Sequence, residues 1–555
     1  MAEAPADLLI EGRIATLGGA AGFGWVEALA IRDGRILAAG QAREVAGLAH
    51  ARTRRWQLPT SLAVMPSFTD AHMHCAAAAL AAGQPDLNGL DRAGVIETIA
   101  ALHQARVEEG DPDGWLVGHG WTFSALGQHP TADWLDEAAP GRPVALWSHD
   151  HHSRWLSARA IQVAGLAAVG DPPSGRIERD ADGRPTGVMY EGAAGLVDAF
   201  MAAPTMSDVD WAVGAFARTL AALGVTSVHD PGPVAPDPEL SSGPVHYREM
   251  ARGGHLPLRV MASVREEQLE RAIEIGFRTG GTVEGDERGR YRDGWLKLFS
   301  DGAVGSRTAA LLAPYEPDVT AGPPPGGPAG MPVRTHEQLA ELAGRAAEHG
   351  IASEIHAIGD SAVRTVLDVI EGLPRVDAAM HRVEHAQLID HADIARFGEL
   401  GIPASVQPCH LLSDVAAMRR SWGVRCATAF PLAALDASGA LLPFGTDAPV
   451  ESPDPWRGLA AAVARRGAGS SAGDAFYPDQ AITLARALRG ACLDGPRSAG
   501  VADQGHLGAG ARADLLVVPA DPFEWPDDPD VVEHTRPLAT LLDGEVVYRA
   551  PEAEF

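Results

Sequence analysis

The stretch Pro66-Ser67-Phe68-Thr69-Asp70-Ala71-His72-Met73-His74 contains the first pair of residues whose types and spacing suggest chemistry, His72 and His74. The run before it, Leu62–Met65, is short, apolar and suited to a strand buried on both faces. Residues two apart on an extended strand point to the same side, so both imidazoles can converge on one point. A divalent cation is the usual occupant of such a point. Two strand-end histidines making ordinary hydrogen bonds is the competing reading of an isolated His-x-His.

Four later segments favour the metal. Lys297 lies in the run Trp295–Phe299, His356 just beyond Ala352–Ile355, His385 just beyond His381–Val383, and Asp447 shortly after Leu441–Phe444. Imidazole and carboxylate ligands without thiolate suit zinc, and manganese, iron or nickel also fit. The cysteines, Cys75, Cys409, Cys426 and Cys492, form no Cys-x-x-Cys, so neither a thiolate zinc site nor a redox pair is indicated.

These residues need a scaffold that brings distant segments to one place. Strand-like runs at Leu62–Met65, Val225–Val228, Leu258–Val264, Trp295–Phe299, Ala352–Ile355, His381–Val383, Pro403–Gln407 and Leu441–Phe444 alternate with helical patterns. That alternation predicts an α/β fold with a parallel sheet, and eight units favour a (β/α)8 TIM-type barrel with its chemistry at the strands' carboxyl ends. An open doubly wound sheet is the alternative, but no Gly-x-Gly-x-x-Gly follows the first strand. Thr335-His336-Glu337-Gln338 reads as a capping box, and Ser207-Asp208 opens a helix ending before Gly224.

The interval between the first two runs is too long for one β/α unit, so residues 85–191 are expected as an inserted domain over the active-site mouth. Asp33-Gly34 marks a hairpin near the amino end, and further short strands occur near the carboxyl end. Residues 1–64 and 502–555 are therefore expected to form a small composite β-sandwich, with the barrel in 65–84 and 192–501. The Pro- and Gly-rich segment Pro314–Pro332 is a candidate lid, an irregular surface loop being the equal alternative.

Hydrophobic residues make up 46% of the chain and charged ones 21%, as in a soluble globular protein. Its 73 acidic against 45 basic residues leave a formal charge of −28, which disfavours nucleic-acid and anionic-membrane partners. Acids near the amino end, and no apolar run of membrane-spanning length, lead to a cytoplasmic expectation. The expected partner is a small-molecule substrate, with a homodimer compatible.

The order His-x-His, Lys, His, His, Asp resembles the amidohydrolase superfamily. The stretches Gly175–Glu191, Lys297–Thr308, His381–Gln387, Gly445–Val450 and 508–515 resemble its family 3, the branch that includes N-substituted formamide deformylases. The resemblance spans essentially the whole chain. It implies that His72 and His74 hold a more buried metal and His356 and His385 a second, one or two zinc ions in all. It also implies that Lys297 is carboxylated and bridges them, and that Asp447 is both ligand and general base. An ion pair of Lys297 with Asp301 is the alternative. Members of the branch carry Asp-Gly-His-Ser-x-Trp where this chain has Asp150-His151-His152-Ser153-Arg154-Trp155, so His151 replaces glycine. Asp150 and His152 are expected to line the substrate pocket. Asp301, Arg307 and Trp121 are further substrate-binding candidates, each with a structural alternative: a salt bridge for Arg307, core packing for Trp121.

The resulting expectation is a metal-dependent hydrolase that cleaves a C–N bond of an amide, formamide or related small molecule. An ester or lactone hydrolase, and a lyase or isomerase on the same barrel, are the alternatives.

Overall fold

The computed structural model describes residues 5–555 except 20, 173–174, 234–239, 241–242 and 319–322. Its central layer is a curled parallel sheet of β1 (Phe68–Asp70), β2 (Val225–Asp230), β3 (Arg259–Arg265), β4 (Tyr291–Phe299), β5 (Ser353–Ala357), β6 (Arg382–His385) and β7 (Ala404–Ser405). Each strand pairs with the next in sequence. The eighth expected run, Leu441–Phe444, bonds to both edges of this sheet. Ala404 N–H and Val406 N–H donate to Leu441 O and Pro443 O, and Ala71 N–H donates to Phe444 O, at 2.8–3.0 Å. Pro443 has no N–H to give, so regular pairing is interrupted there.

Helix Met206–Leu223 shows how the connections pack. Thr205 and Asp208 cap its start reciprocally, two residues earlier than expected from Ser207. Val209, Val213, Phe216 and Leu220 recur every three or four residues on its buried face. Gly224, at φ 92°, ends it, and a Cβ there would lie 2.7 Å from Leu516.

Leu62–Pro66 is not the first parallel strand. It pairs antiparallel with Leu515–Pro519 and parallel with Arg13 and Ile14, inside an eight-stranded sheet built from both ends of the chain. The reason is its position between two cores. Ala63 and Met65 pack into the core of the parallel sheet, while Val64 packs into the core of the terminal sheet. Both faces are apolar, which is also how a parallel strand reads. The terminal layer differs from the expected sandwich as well. Leu8–Ala15 bonds Arg54–Gln57 along its first half and Leu62–Pro66 further on, so the layer is one continuous sheet.

Between β1 and β2 lies a separate five-stranded sheet: Leu116–Trp121, Val144–Ser148, Ser153–Leu156, Pro185–Glu191 and Gly175–Arg179. Its own core holds Trp121, Trp134 and Trp155. No helix among the described residues is long and apolar enough to cross a membrane.

Candidate metal centre

β1 ends at Asp70, so His72 and His74 stand beyond the strand, in the turn before helix Cys75–Ala81. Strand alternation therefore does not bring them together. Backbone tethers do: Met73 N–H donates to His229 O and His74 N–H to Ala448 O, both at 3.0 Å. The two Nε2 atoms lie 3.5 and 3.6 Å from Asp447 Oδ1.

His385 arrives by a different device. Arg382 and Glu384 share one side of β6, and alternation would turn His385 to the other. Its backbone adopts φ 70° instead, and Asp447 adopts φ 60°. Left-handed conformations in such residues persist only where the surroundings impose them. The His385 ring comes to 4.9 Å from His72 and 4.5 Å from His356, centroid to centroid. His72, His385 and Asp447, all buried, form a group whose ligand atoms lie within 4.8 Å of one another. The resemblance pairs His385 with His356; the structure also joins it to His72 and Asp447.

The rings are oriented from behind. His72 Nδ1 contacts Glu384 Oε2 at 2.5 Å, and His385 Nδ1 contacts Gln407 Oε1 at 2.8 Å. Such partners fix the tautomer and leave Nε2 for the centre. Glu384 in turn contacts Arg382 Nε, and the same guanidinium binds Glu354 and donates to Ala71 O. Arg382 is fully buried. It thus links β5, β6 and the turn after β1 beneath the histidines.

Burial sets the protonation states. It holds His72, His356 and His385 well below the usual imidazole range and takes His74 to about 3. It raises Asp447 to about 7, against the opposing charges of Lys297 and His152. It also lowers Lys297, although Glu384, Glu354 and Asp447 resist that change. Neutral imidazoles are ready ligands, and a lysine that gives up its proton is the form that carboxylation requires. Buried converging Nε2 atoms, oriented from behind and joined by a carboxylate, fit a divalent cation.

A cavity of about 300 Å³ opens over this group. The inserted sheet supplies its far wall, with Asp150, His151, His152 and Glu191. His152 Nδ1 lies 2.8 Å from Glu191 Oε2, and its ring sits 5.1 Å from that of His356. Burial would lower His152, but Glu191 and then Asp150 raise it to about 9. His151 adopts φ 55°, a conformation that favours the glycine of the resembling branch, and its ring stacks on Trp147.

Three substrate-binding expectations are corrected. Asp301 is fully buried and accepts N–H groups from Ile358, Gly359 and Ala310 at 2.8–3.0 Å. Its Oδ1 lies 3.5 Å from His356 Nε2, so it braces that ring rather than facing the cavity. Arg307 turns to the loop at 315–316, donating to Glu316 O and lying over Tyr315. Trp121 is buried in the inserted sheet's core, with its indole N–H donating to Leu146 O. A large indole needs a dry core and one acceptor, and both lie away from the mouth.

The expected lid includes residues 319–322, which lie outside the described residues. Its flanks are held by Glu316 N–H to Ser421 O and Tyr315 N–H to Pro328 O, and no described residue of 314–332 lines the cavity. Gln407, Glu354 and His410 are absent from the sequence-based expectations; His410 Nε2 lies 3.9 Å from Asp447 Oδ2. His410 carries the same strand-end signal as the others, but β7 has only two residues and marks its end poorly. A larger cleft of about 620 Å³, between the terminal sheet and residues 286–289, contains none of the candidate ligands.

The amidohydrolase family model matches residues 61–548. YtcJ of Bacillus subtilis is 30% identical over 498 residues, 87% of this chain and 89% of its own. N-substituted formamide deformylase of Arthrobacter pascens is 27% identical over 94% of this chain and 95% of its own. An uncharacterised metal-dependent hydrolase from Pyrococcus horikoshii aligns over 95% of this chain and 98% of its own, with 26% identity and a TM-score of 0.71.

Proposed function

The chain belongs to the amidohydrolase family and is a hydrolase acting on carbon–nitrogen bonds; we propose that it cleaves an amide or formamide of a small molecule at the cavity over His72, His385 and Asp447. The observation that carries this reading is the buried His72–His385–Asp447 group at the strand ends. A (β/α)8 barrel is part of the proposal, supported by the bonding of residues 441–444 to both edges of the parallel sheet.

His72, His74 and Asp447 would hold one zinc or similar divalent ion, and His356 and His385 a second, with Lys297 carboxylated between them. Bound metal supplies Lewis acidity, which makes water nucleophilic near neutral pH and polarises a carbonyl oxygen. Asp447 takes the proton of the attacking water and returns it to the leaving nitrogen, serving as base and then acid. His152, kept cationic by Glu191, holds the substrate's outer polar atoms beside His356. Glu384 and Gln407 keep the two ligand rings in register.

The test uses zinc-loaded protein, a panel of N-substituted formamides and their matched formate esters. Formamide turnover that stops on chelation and returns with zinc is the expected result. Ester cleavage with no formamide cleavage would assign the site to an ester or lactone hydrolase. Product without solvent oxygen would point to a lyase or isomerase.

A further inference from the structure

His151 stands at the end of a tight turn, where its N–H donates to Ser148 O at 3.1 Å and its backbone is left-handed, at φ 55°. Glycine takes that conformation freely, and a residue with a Cβ does not. The imidazole adds a second local cost, because its Nε2 is buried without a hydrogen-bond partner. Backbone strain of this kind persists only where the surroundings impose it, and it clusters at functional sites. Here the ring lies flat against Trp147, with 5.6 Å between centroids and 15° between planes. Arg154 lies over the same indole at 4.5 Å and pairs with Asp198, so the surface behind His151 is itself fixed.

His151 lines the central cavity beside Trp147, His74, Pro449 and Val450. The His119 ring, 6.3 Å from that of His151, lines a second cleft of about 330 Å³ with Ala78, Ala81 and Phe216. Pro449 and Val450 line both spaces. A thin partition therefore closes the central cavity on this side, and His151 is a bulky member of it. Elsewhere the cavity is bounded by Glu266, Glu267 and Arg334, which are partly exposed, and by exposed Gly192.

We propose that His151 is a specificity-determining residue: its ring stops the substrate at the partition, so that the amide cleaved here carries one narrow substituent on nitrogen, unbranched at its first carbon. The inference rests on the reading of the central cavity as the substrate site. A single chain on the nitrogen runs toward the partly exposed side of the cavity. A second arm on the same carbon turns toward the partition and meets the imidazole, which Trp147 keeps from swinging aside. Overfilling a packed site forces such shifts at a cost that outweighs the added apolar contact. Glycine at position 151 would extend the cavity as far as His119 and would leave the candidate ligands and the His152–Glu191 contact in place.

Calorimetric titration of the metal-loaded Asp447→Asn protein separates binding from turnover. The two probes are N-butylformamide and N-(heptan-4-yl)formamide, which differ by a second propyl arm on the carbon next to nitrogen. That arm adds apolar surface and would tighten binding if there were room for it. The parent is expected to favour the unbranched probe by about ten- to hundred-fold, the discrimination a close-fitting apolar pocket achieves. Adding His151→Gly should abolish or reverse the preference, and His151→Ala should shift it the same way. His151→Phe, which restores a flat ring without the nitrogens, should keep it. Metal content and circular dichroism should match the parent in all three. Equal binding of the two probes by the parent, binding of neither, or a preference that survives both His151→Gly and His151→Ala would overturn the proposal. So would a preference lost in His151→Phe, since bulk alone would then not explain it. The expected shift in binding, with no turnover of either probe by the native chain, would defeat the hydrolase reading and leave this one standing. Turnover by the native chain with a preference that His151→Gly leaves unchanged would do the reverse.

Discussion

The two walls of the central cavity are built on different principles. The floor is the end of the parallel sheet, where His72, His385 and Asp447 are each braced by buried partners or backbone bonds. The far wall is the inserted sheet, where His152 donates its backbone N–H to Asp150 Oδ1 and sets its ring against Glu191 Oε2. Both walls contain left-handed, non-glycine backbone: His385 and Asp447 on the floor, His151 and Glu191 above it. The floor's supports come from several strands far apart in sequence, whereas the upper wall's come from one module. A floor of this kind suits chemistry shared by many relatives, and a self-contained module over it can change selectivity without disturbing the ligands.

The sharpest way to break this division is on the floor. Asp447→Asn should lower kcat by roughly 10²- to 10⁴-fold while leaving the fold intact, as expected for loss of a general base. Wild-type kcat with normal circular dichroism would remove Asp447 from the reaction. Glu384→Ala takes a carboxylate from both His72 and Arg382 and leaves a buried guanidinium short of a partner. Its expected effect is a loss of about 3–5 kcal/mol in urea unfolding, together with lower metal content. Unfolding at wild-type denaturant concentrations would show that the brace under the histidines is dispensable.

Among the described residues an ion pair joins the two walls: His149 of the insert and Glu451 of the floor, 3.2 Å apart and largely buried. Burial would raise Glu451, but the hydrogen bond and charge of His149 pull it down to about 2. Its stabilisation is therefore present above its ordinary value of 4.5 and is lost as pH falls toward 2. His149 is raised by the same partner, against burial. Its share is present below 6.5 and is lost as pH rises through the raised value. Glu451→Gln should thus cost about 3 kcal/mol between pH 4.5 and 6.5, and less on either side. A penalty independent of pH would contradict the pairing.

The mildest test lies within the upper module. Trp121→Phe removes the indole N–H donated to Leu146 O and should cost about 1 kcal/mol with KM unchanged. A raised KM measured on the formamide panel would return Trp121 to the pocket wall.

Six of the seven parallel strands, β2 to β7, were legible because each contains a short apolar run between helical patterns, whereas β1 was not. Leu62–Pro66 misled because it is buried between two cores and reads as a parallel strand while belonging to the terminal sheet. His72 and His74 both approach Asp447, but through backbone tethers to His229 and Ala448 rather than by strand alternation. Asp301 and Arg307 follow Lys297 closely in sequence, yet chain proximity says nothing about which way a side chain turns after a strand ends. Gln407 and Glu354 act through partners on neighbouring strands, a relation that one sequence does not display.

The most direct measurement is metal content per chain, by elemental analysis of protein grown with zinc and bicarbonate, for the wild type and for the His72→Ala/His385→Ala double variant. One or two equivalents in the wild type, with the loss of at least one in the double variant alongside loss of formamide turnover, is the predicted result. A wild-type chain that holds no divalent metal under those conditions, or a double variant that retains both metal and turnover, would contradict the account.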